Sequence, residues 1–237
     1  MSDITQRLDQ VRERIRAAAA QFNRDPAAIG LLAVSKTRPA GDIRQALEAG
    51  QRRFGENYLQ EALTKIGQLH GSGAEWHFIG RIQGNKTRPI AEHFDWVHSI
   101  DREKHARRLN DQRPGGLPPL NICLQVRIDQ EERKGGLDPD QAAALITLMP
   151  ELPRLRLRGL MTLPAPSDDP RIQRRAFRAL RELRDRLAST TLPLTTLSMG
   201  MSEDLESAIA EGSTLVRVGT AIFGPRQARP ANDTTQL

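Results

Sequence analysis

The chain carries a single cysteine, Cys123, among 237 residues. One thiol cannot close an internal disulfide, which fits a reducing compartment. It sits in the apolar run Ile122-Cys123-Leu124, the setting of a buried core thiol rather than of a nucleophile. Aromatic residues are only 4% of the chain, too few for a platform on which nucleobases could stack. No apolar run approaches the roughly 18 residues that span a bilayer. The first residues carry Asp3 and no apolar signal core. The expectation is a soluble, cytoplasmic protein that binds neither membrane nor nucleic acid. His70, His77, His93, His98 and His105 show no metal-ligand spacing, so no metal site is expected. There is no G-x-S-x-G, no P-loop, and no G-x-G-x-x-G after the first apolar run.

What is present is an arginine-rich but ordinary globular composition. Hydrophobic residues make up 38% and charged residues 27%, with a formal charge of +6. A packed core follows, and wholesale disorder does not. The densest basic patch runs through Arg174, Arg175, Arg178, Arg181, Arg184 and Arg186. Glu182 and Asp185 interrupt it, and Phe177, Leu180, Leu183 and Leu187 give it the apolar stripe of a buried helix face. A nucleic-acid-binding module therefore rests on net charge alone.

Along the chain, short apolar runs alternate with helical patterns. Ile4, Leu8, Val11 and Ile15 mark an N-terminal helix over 3–22, ended by Asp25-Pro26. Apolar runs then recur at 31–36, 53–57, 76–80, 96–100, 120–128, 155–163, 196–199 and 215–218, each but the last followed by a helical pattern. Strands alternating with helices imply a parallel sheet. Eight such units in a chain of this length predict one closed (β/α)8 barrel, with a core over about 30–224, rather than a Rossmann-type open sheet. The stretch Pro114 to Pro119 reads as a loop inside the domain, and 225–237 as a frayed tail. The whole of 1–237 is thus expected to be one domain.

In such a barrel the chemistry sits at the C-terminal ends of the strands. Two features stand out there. Lys36 finishes an otherwise apolar strand. An amine partly desolvated in a barrel mouth near Arg38 should titrate low and so be able to form an imine with an aldehyde. Strands seven and eight end in Ser198-Met199-Gly200-Met201-Ser202 and Arg217-Val218-Gly219-Thr220, small and hydroxyl residues of the kind that cradle phosphate. A lysine on strand one with an anion cradle on strands seven and eight predicts a phosphorylated aldehyde cofactor, pyridoxal 5′-phosphate.

Longer motifs carry a family likeness. The segments 33–37 (Ala-Val-Ser-Lys-Thr), 54–58 (Phe-Gly-Glu-Asn-Tyr), 77–80 (His-Phe-Ile-Gly), 83–86, 134–136, 159–161, 198–202 and 217–224 closely resemble the pyridoxal phosphate homeostasis protein family (the YggS/PROSC type), across nearly the whole chain. The chain departs from the family pattern at Arg81-Ile82-Gln83, where members have Leu-Gln after the glycine. The resemblance implies a monomeric barrel like the alanine racemase N-terminal domain, with the cofactor held as a Schiff base on Lys36. It implies phosphate contacts at Ser198, Gly219 and Thr220, and Arg217 against either the phosphate or the ring nitrogen. It also implies Asn57 and His77 around the ring, and Lys134 as a lysine that receives or releases cofactor.

The family is thought to buffer pyridoxal phosphate or deliver it to apo-enzymes. The residues agree with a non-catalytic role: Tyr58 is the one tyrosine, and nothing after strand eight is long enough for the β-rich domain that closes related racemases. The alternative is a small amino-acid racemase or lyase with Lys36 as its base.

Overall fold

A computed structural model describes residues 2–128 and 135–225. Asp129, Lys134 and the stretch 226–237 lie outside the described residues. Eight strands form the barrel wall: β1 (Gly30–Val34), β2 (Arg53–Glu56), β3 (Glu75–Phe78), β4 (Trp96–Ile100), β5 (Leu120–Gln125), β6 (Leu155–Met161), β7 (Thr196–Ser198) and β8 (Leu215–Val218). Each pairs in parallel with the next, and β8 returns to β1 with Leu31 opposite Val216, so the barrel closes in sequence order. The expected closed barrel is what forms, and the open-sheet alternative is excluded.

The outer layer is built from α2 (Ala40–Glu48), α3 (Leu59–Gln68), α4 (Thr87–His93), α5 (Glu103–Gln112), α6 (Pro139–Thr147), α7 (Pro170–Leu187) and α8 (Leu205–Ala210). Their starts follow ordinary capping chemistry. Asp138 accepts from the Gln141 amide, and the Gln141 side chain accepts in return from the Asp138 amide, with Pro139 in the first turn. Asp169 and Pro170 open α7 in a related way.

The element after β8 is a single turn, α9 (Thr220–Phe223), too short to cover its part of the wall. The N-terminal helix α1 (Asp3–Gln21) takes that place, packing against α8, α9 and α2. Its buried face is Ile4, Leu8, Val11, Ile15, Ala18 and Ala19, the stripe legible in the sequence. The expected extra helix is therefore a structural replacement within the outer layer. Arg14 fixes it to the mouth, donating to Glu206 at 3.0 Å and to the Ser202 carbonyl at 3.0 Å.

The basic face of α7 turns inward on one acid. Arg174, Arg178 and Arg181 donate to the buried Glu211 at 2.8–3.2 Å. Burial pushes that carboxyl up, but the hydrogen bonds and charges of Arg178 and Arg174 outweigh it and hold the group below its ordinary range. Cys123 is fully buried, and desolvation pushes its thiol up to about 12, which leaves it inert. Among the described residues no helix is long and apolar enough to cross a membrane.

Candidate functional site

Lys36 does not end β1; the strand stops at Val34, and Lys36 follows in the turn Ser35-Lys36-Thr37-Arg38. The Arg38 amide donates to the Ser35 carbonyl at 3.1 Å. Thr37 lies at φ 64°, a left-handed conformation that costs a β-branched residue about 1–3 kcal/mol. Something must hold it, and a cluster of charges does. The Thr37 amide donates to Glu61 at 2.5 Å. Beneath it, Lys65 Nζ donates to the Ser35 carbonyl, to Glu56 and to Glu61 at 2.5–2.8 Å, using all three of its protons. Glu56 is fully buried and also accepts from Ser35 Oγ at 2.6 Å. Burial pushes the Glu56 carboxyl up, although the nearby Lys65 charge pulls it down. The turn that carries Lys36 is thus clamped from inside the barrel wall.

The half-buried Lys36 opens onto a cavity of about 360 Å3 at the C-terminal ends of the strands, within the range of small-ligand sites. Asn57, Arg217, Gly219 and Thr220 line the same cavity, with Ile79, Met161, Ser202 and Asp204 among its other walls. Five of the seven expected site residues are therefore brought together. Asn57 arrives by close backbone packing: a Cβ at Gly80 would lie 2.0 Å from the Asn57 carbonyl oxygen, so only glycine lets the segment after β3 pass it. Asn57 Oδ1 is buried and makes no hydrogen bond within the described protein, as expected of an atom that awaits a ligand. Gly219 serves the same purpose for β8, since a Cβ there would lie 3.2 Å from the Val34 carbonyl oxygen. Its turn is thereby pressed against the end of β1 beside Lys36.

Arg217 forms the floor. It is 4% exposed, and its guanidinium donates to the Ser198 carbonyl at 2.5 Å, Ser198 Oγ at 2.8 Å and the Thr162 carbonyl at 2.9 Å. Desolvation lowers its pKa to about 10, which still leaves a cation at neutral pH.

Two expectations need correction. His77 does not face the mouth. It lies near the start of β3, stacked on Trp96 with centroids 5.4 Å apart, and it lines a cavity with Glu75, Thr196 and Leu215 at the opposite end of the barrel. A strand passes through the whole wall, and His77 falls only two residues after the strand begins. Ser198 lies below the mouth as well. Its hydroxyl is committed to Arg217 and to His98 Nδ1 at 2.9 Å, so it supports the floor instead of facing a ligand. The residues the sequence reading missed are Glu56, Glu61 and Lys65 under the lysine turn, and Glu75 and His98 inside the barrel. The one available signal for His98 was a polar residue in each of two consecutive apolar strands, His77 and His98.

A larger cavity of about 630 Å3 opens at the other end of the barrel, lined by Arg12, Arg16, Arg53 and Glu75. Those arginines pair with Asp9, Glu13 and Glu75, and no lysine lines it. Among the described residues no group of three or more His, Cys, Asp or Glu could hold a metal ion.

Barrel, lysine turn and mouth together define a class: proteins built on the barrel of the alanine racemase N-terminal domain, whose family profile matches residues 6–227. The alanine racemase of Corynebacterium glutamicum shares that fold at 18% identity with a TM-score of 0.65, matching 92% of this chain and 62% of its own. Within the class, the chain belongs to the pyridoxal phosphate homeostasis protein family. It is 58% identical over 226 residues to the pyridoxal phosphate homeostasis protein of Pseudomonas aeruginosa, covering 95% of this chain and 97% of that one. The Escherichia coli K12 protein of the same name is 53% identical over 232 residues, covering 95% and 98%. Among solved structures, PipY of Synechococcus elongatus with PLP bound matches at 37% identity and a TM-score of 0.83, over 94% of this chain and all of that one.

Proposed function

We propose that this chain binds pyridoxal 5′-phosphate in the barrel mouth on Lys36 and acts in pyridoxal phosphate homeostasis as a buffer or carrier without turnover. The observation that carries the reading is one cavity lined by a braced lysine, a fixed buried cation and Asn57, whose Oδ1 is buried without a hydrogen-bond partner among the described residues. The structure of the relative PipY with PLP bound supports it. When bound, the cofactor supplies an aldehyde that a primary amine can condense with.

The chain's own residues supply the rest. Lys36 presents its amine from a turn whose geometry is held by Glu61, Lys65 and Glu56, so little ordering remains to be done on binding. Gly219 and Thr220 open the first turn of α9, where backbone N–H groups lack helical acceptors and favour an anion. Arg217 places a positive charge at the floor. Asn57 lines the space between, its Oδ1 buried without a hydrogen-bond partner among the described residues. His77 and Ser198 act beneath this site through Arg217.

The non-catalytic reading is supported by the lining, in which, among the described residues, there is no tyrosine, histidine or cysteine to partner Lys36 as a second base. Asp168, Glu203 and Asp204 do line it, and a racemase or lyase would have to draw on them. Incorporation of solvent deuterium at the α-carbon of an amino acid, abolished in Lys36→Ala, would establish that alternative. The same reading takes 1–237 as one barrel domain, monomeric and cytoplasmic, from which apo-enzymes accept the cofactor. It includes no nucleic-acid or membrane partner.

The primary test is an absorbance spectrum of the purified protein with pyridoxal 5′-phosphate, then borohydride reduction and peptide mass spectrometry. The expected adduct sits on Lys36. An adduct confined to other lysines, or none, would overturn the assignment.

A further inference from the structure

Three side chains connect Glu75, at the end of the barrel opposite the mouth, to Arg217. His77 Nε2 lies 2.7 Å from Glu75 Oε1, and His77 Nδ1 lies 2.9 Å from His98 Nε2. His98 Nδ1 lies 2.9 Å from Ser198 Oγ, which Arg217 Nη1 meets at 2.8 Å. His98 belongs to β4 and Ser198 to β7, strands that do not neighbour each other, so this chain of bonds crosses the barrel's interior. Barrel interiors are ordinarily filled by apolar side chains, and a buried polar network is tolerated only where every member is satisfied.

The proton positions follow from the ends. A guanidinium can only donate, so Ser198 Oγ accepts from Arg217 and has its own proton available for His98 Nδ1, which the Glu75 end of the chain requires to be an acceptor. His98 then carries its proton on Nε2 and donates to His77 Nδ1. His77 carries its proton on Nε2 and donates to Glu75. Reversing the direction would set an unprotonated His77 Nε2 against the Glu75 carboxylate at 2.7 Å, two acceptors face to face. That arrangement needs a proton on Glu75, whose hydrogen bond from His77 instead holds the carboxyl below its ordinary range. A doubly protonated ring is opposed by burial, which lowers both histidines. The charged and titratable groups facing His77 are Glu75, His98, Arg53 and Asp95, and those facing His98 are His77 and Arg217.

We propose that Glu75, His77, His98 and Ser198 form a one-directional hydrogen-bond relay that fixes Arg217 at the mouth, making Glu75 a positioning residue for pyridoxal 5′-phosphate from the opposite end of the barrel. The consequence for the ligand rests on the function proposed above; the proton arrangement does not.

Two measurements on the full chain separate them. Long-range 1H–15N spectra of 15N-histidine-labelled, cofactor-free protein at neutral pH are expected to show both rings neutral with the proton on Nε2. A proton on His98 Nδ1, or a doubly protonated His77, would overturn the relay. In Glu75→Ala, His98 nitrogen shifts should move although His98 does not touch that residue. Retention of pyridoxal 5′-phosphate should weaken roughly fivefold to tenfold, the scale of one lost hydrogen bond. Ser198→Ala should weaken it similarly and displace the bound cofactor's absorbance maximum. Glu75→Gln, which keeps an acceptor, should restore the His98 shifts and the affinity, and Ser198→Ala stands in for Glu75→Ala if that variant does not fold. Unmoved shifts, or affinities equal to wild type in both alanine variants, would refute the positioning role. Failure of the cofactor reading looks different: no absorbance band in the wild-type protein, with the ring tautomers as assigned.

Discussion

At the scale of single residues, the lysine turn depends on charges that never meet solvent freely. Lys65 is 4% exposed and Glu56 fully buried. Removing one partner of such a pair strands the other, which costs about 3–5 kcal/mol. Lys65→Met should therefore lower unfolding stability by that amount in urea, and should also weaken cofactor retention, because the Ser35 carbonyl loses its donor. Retained affinity in a folded Lys65→Met protein would show that the clamp does not position Lys36. The buried histidines make a second prediction, with a sign. His77 and His98 titrate below the usual 6.5 because burial penalises their charged forms. As pH falls past 6.5 the unfolded chain takes up protons that the folded chain refuses, so stability is full above that pH and is lost below it. Glu56 acts oppositely: raised above 4.5, it keeps a proton in the fold that the unfolded chain has released, and stability drops as pH rises through that window. Melting temperatures from pH 7 to 5, taken in a Glu56→Gln background, should fall steadily. A flat profile would contradict neutral, buried imidazoles.

At the scale of elements, the site is made where strand ends and turns touch. The segment after β3 passes the Asn57 carbonyl with no space for a side chain at Gly80. Gly80→Ala must push one backbone away from the other, at about 1–3 kcal/mol, and should move Asn57 in the mouth. Its expected signature is reduced cofactor affinity with a modest loss in urea midpoint. Helix boundaries were legible wherever capping chemistry is local. The α6 start at Asp138-Pro139 and the α1 stripe both follow from spacing alone. Where position depends on partners across the barrel, spacing was silent. His77 stands only two residues before Ile79, which follows β3 and does line the mouth, and no local pattern says which end of a four-residue strand faces the ligand.

Across the whole molecule, the N-terminal helix completes a layer that the last strand leaves open. α9 is one turn long, and α1 covers that part of the wall. Leu8 is fully buried in it, so Leu8→Ala should cost about 2–5 kcal/mol. Because Arg14 on the same helix grips the Ser202 carbonyl at the mouth, Arg14→Ala should leave the barrel folded but loosen the loop after β7, readable as faster cofactor dissociation. Unchanged dissociation would separate the helix from the site. The +6 charge loses weight as a sign of nucleic-acid binding once Arg174, Arg178 and Arg181 are seen converging on Glu211.

Period and spacing alone determined the count and order of strands, the closed barrel, the capped helices, and the lysine and glycine-rich turns at the mouth, because each rests on local backbone preference and on an alternation of apolar and polar residues. The clamp beneath Lys36 and the polar chain through the barrel were decided only by tertiary structure. Their members come from β2 and α3, and from β3, β4, β7 and β8, and a hydrogen bond across a closed barrel leaves no periodic trace along the chain. For that reason five of the residues the sequence pointed to line the mouth, whereas His77 lies at the opposite end of the barrel and Ser198 beneath Arg217.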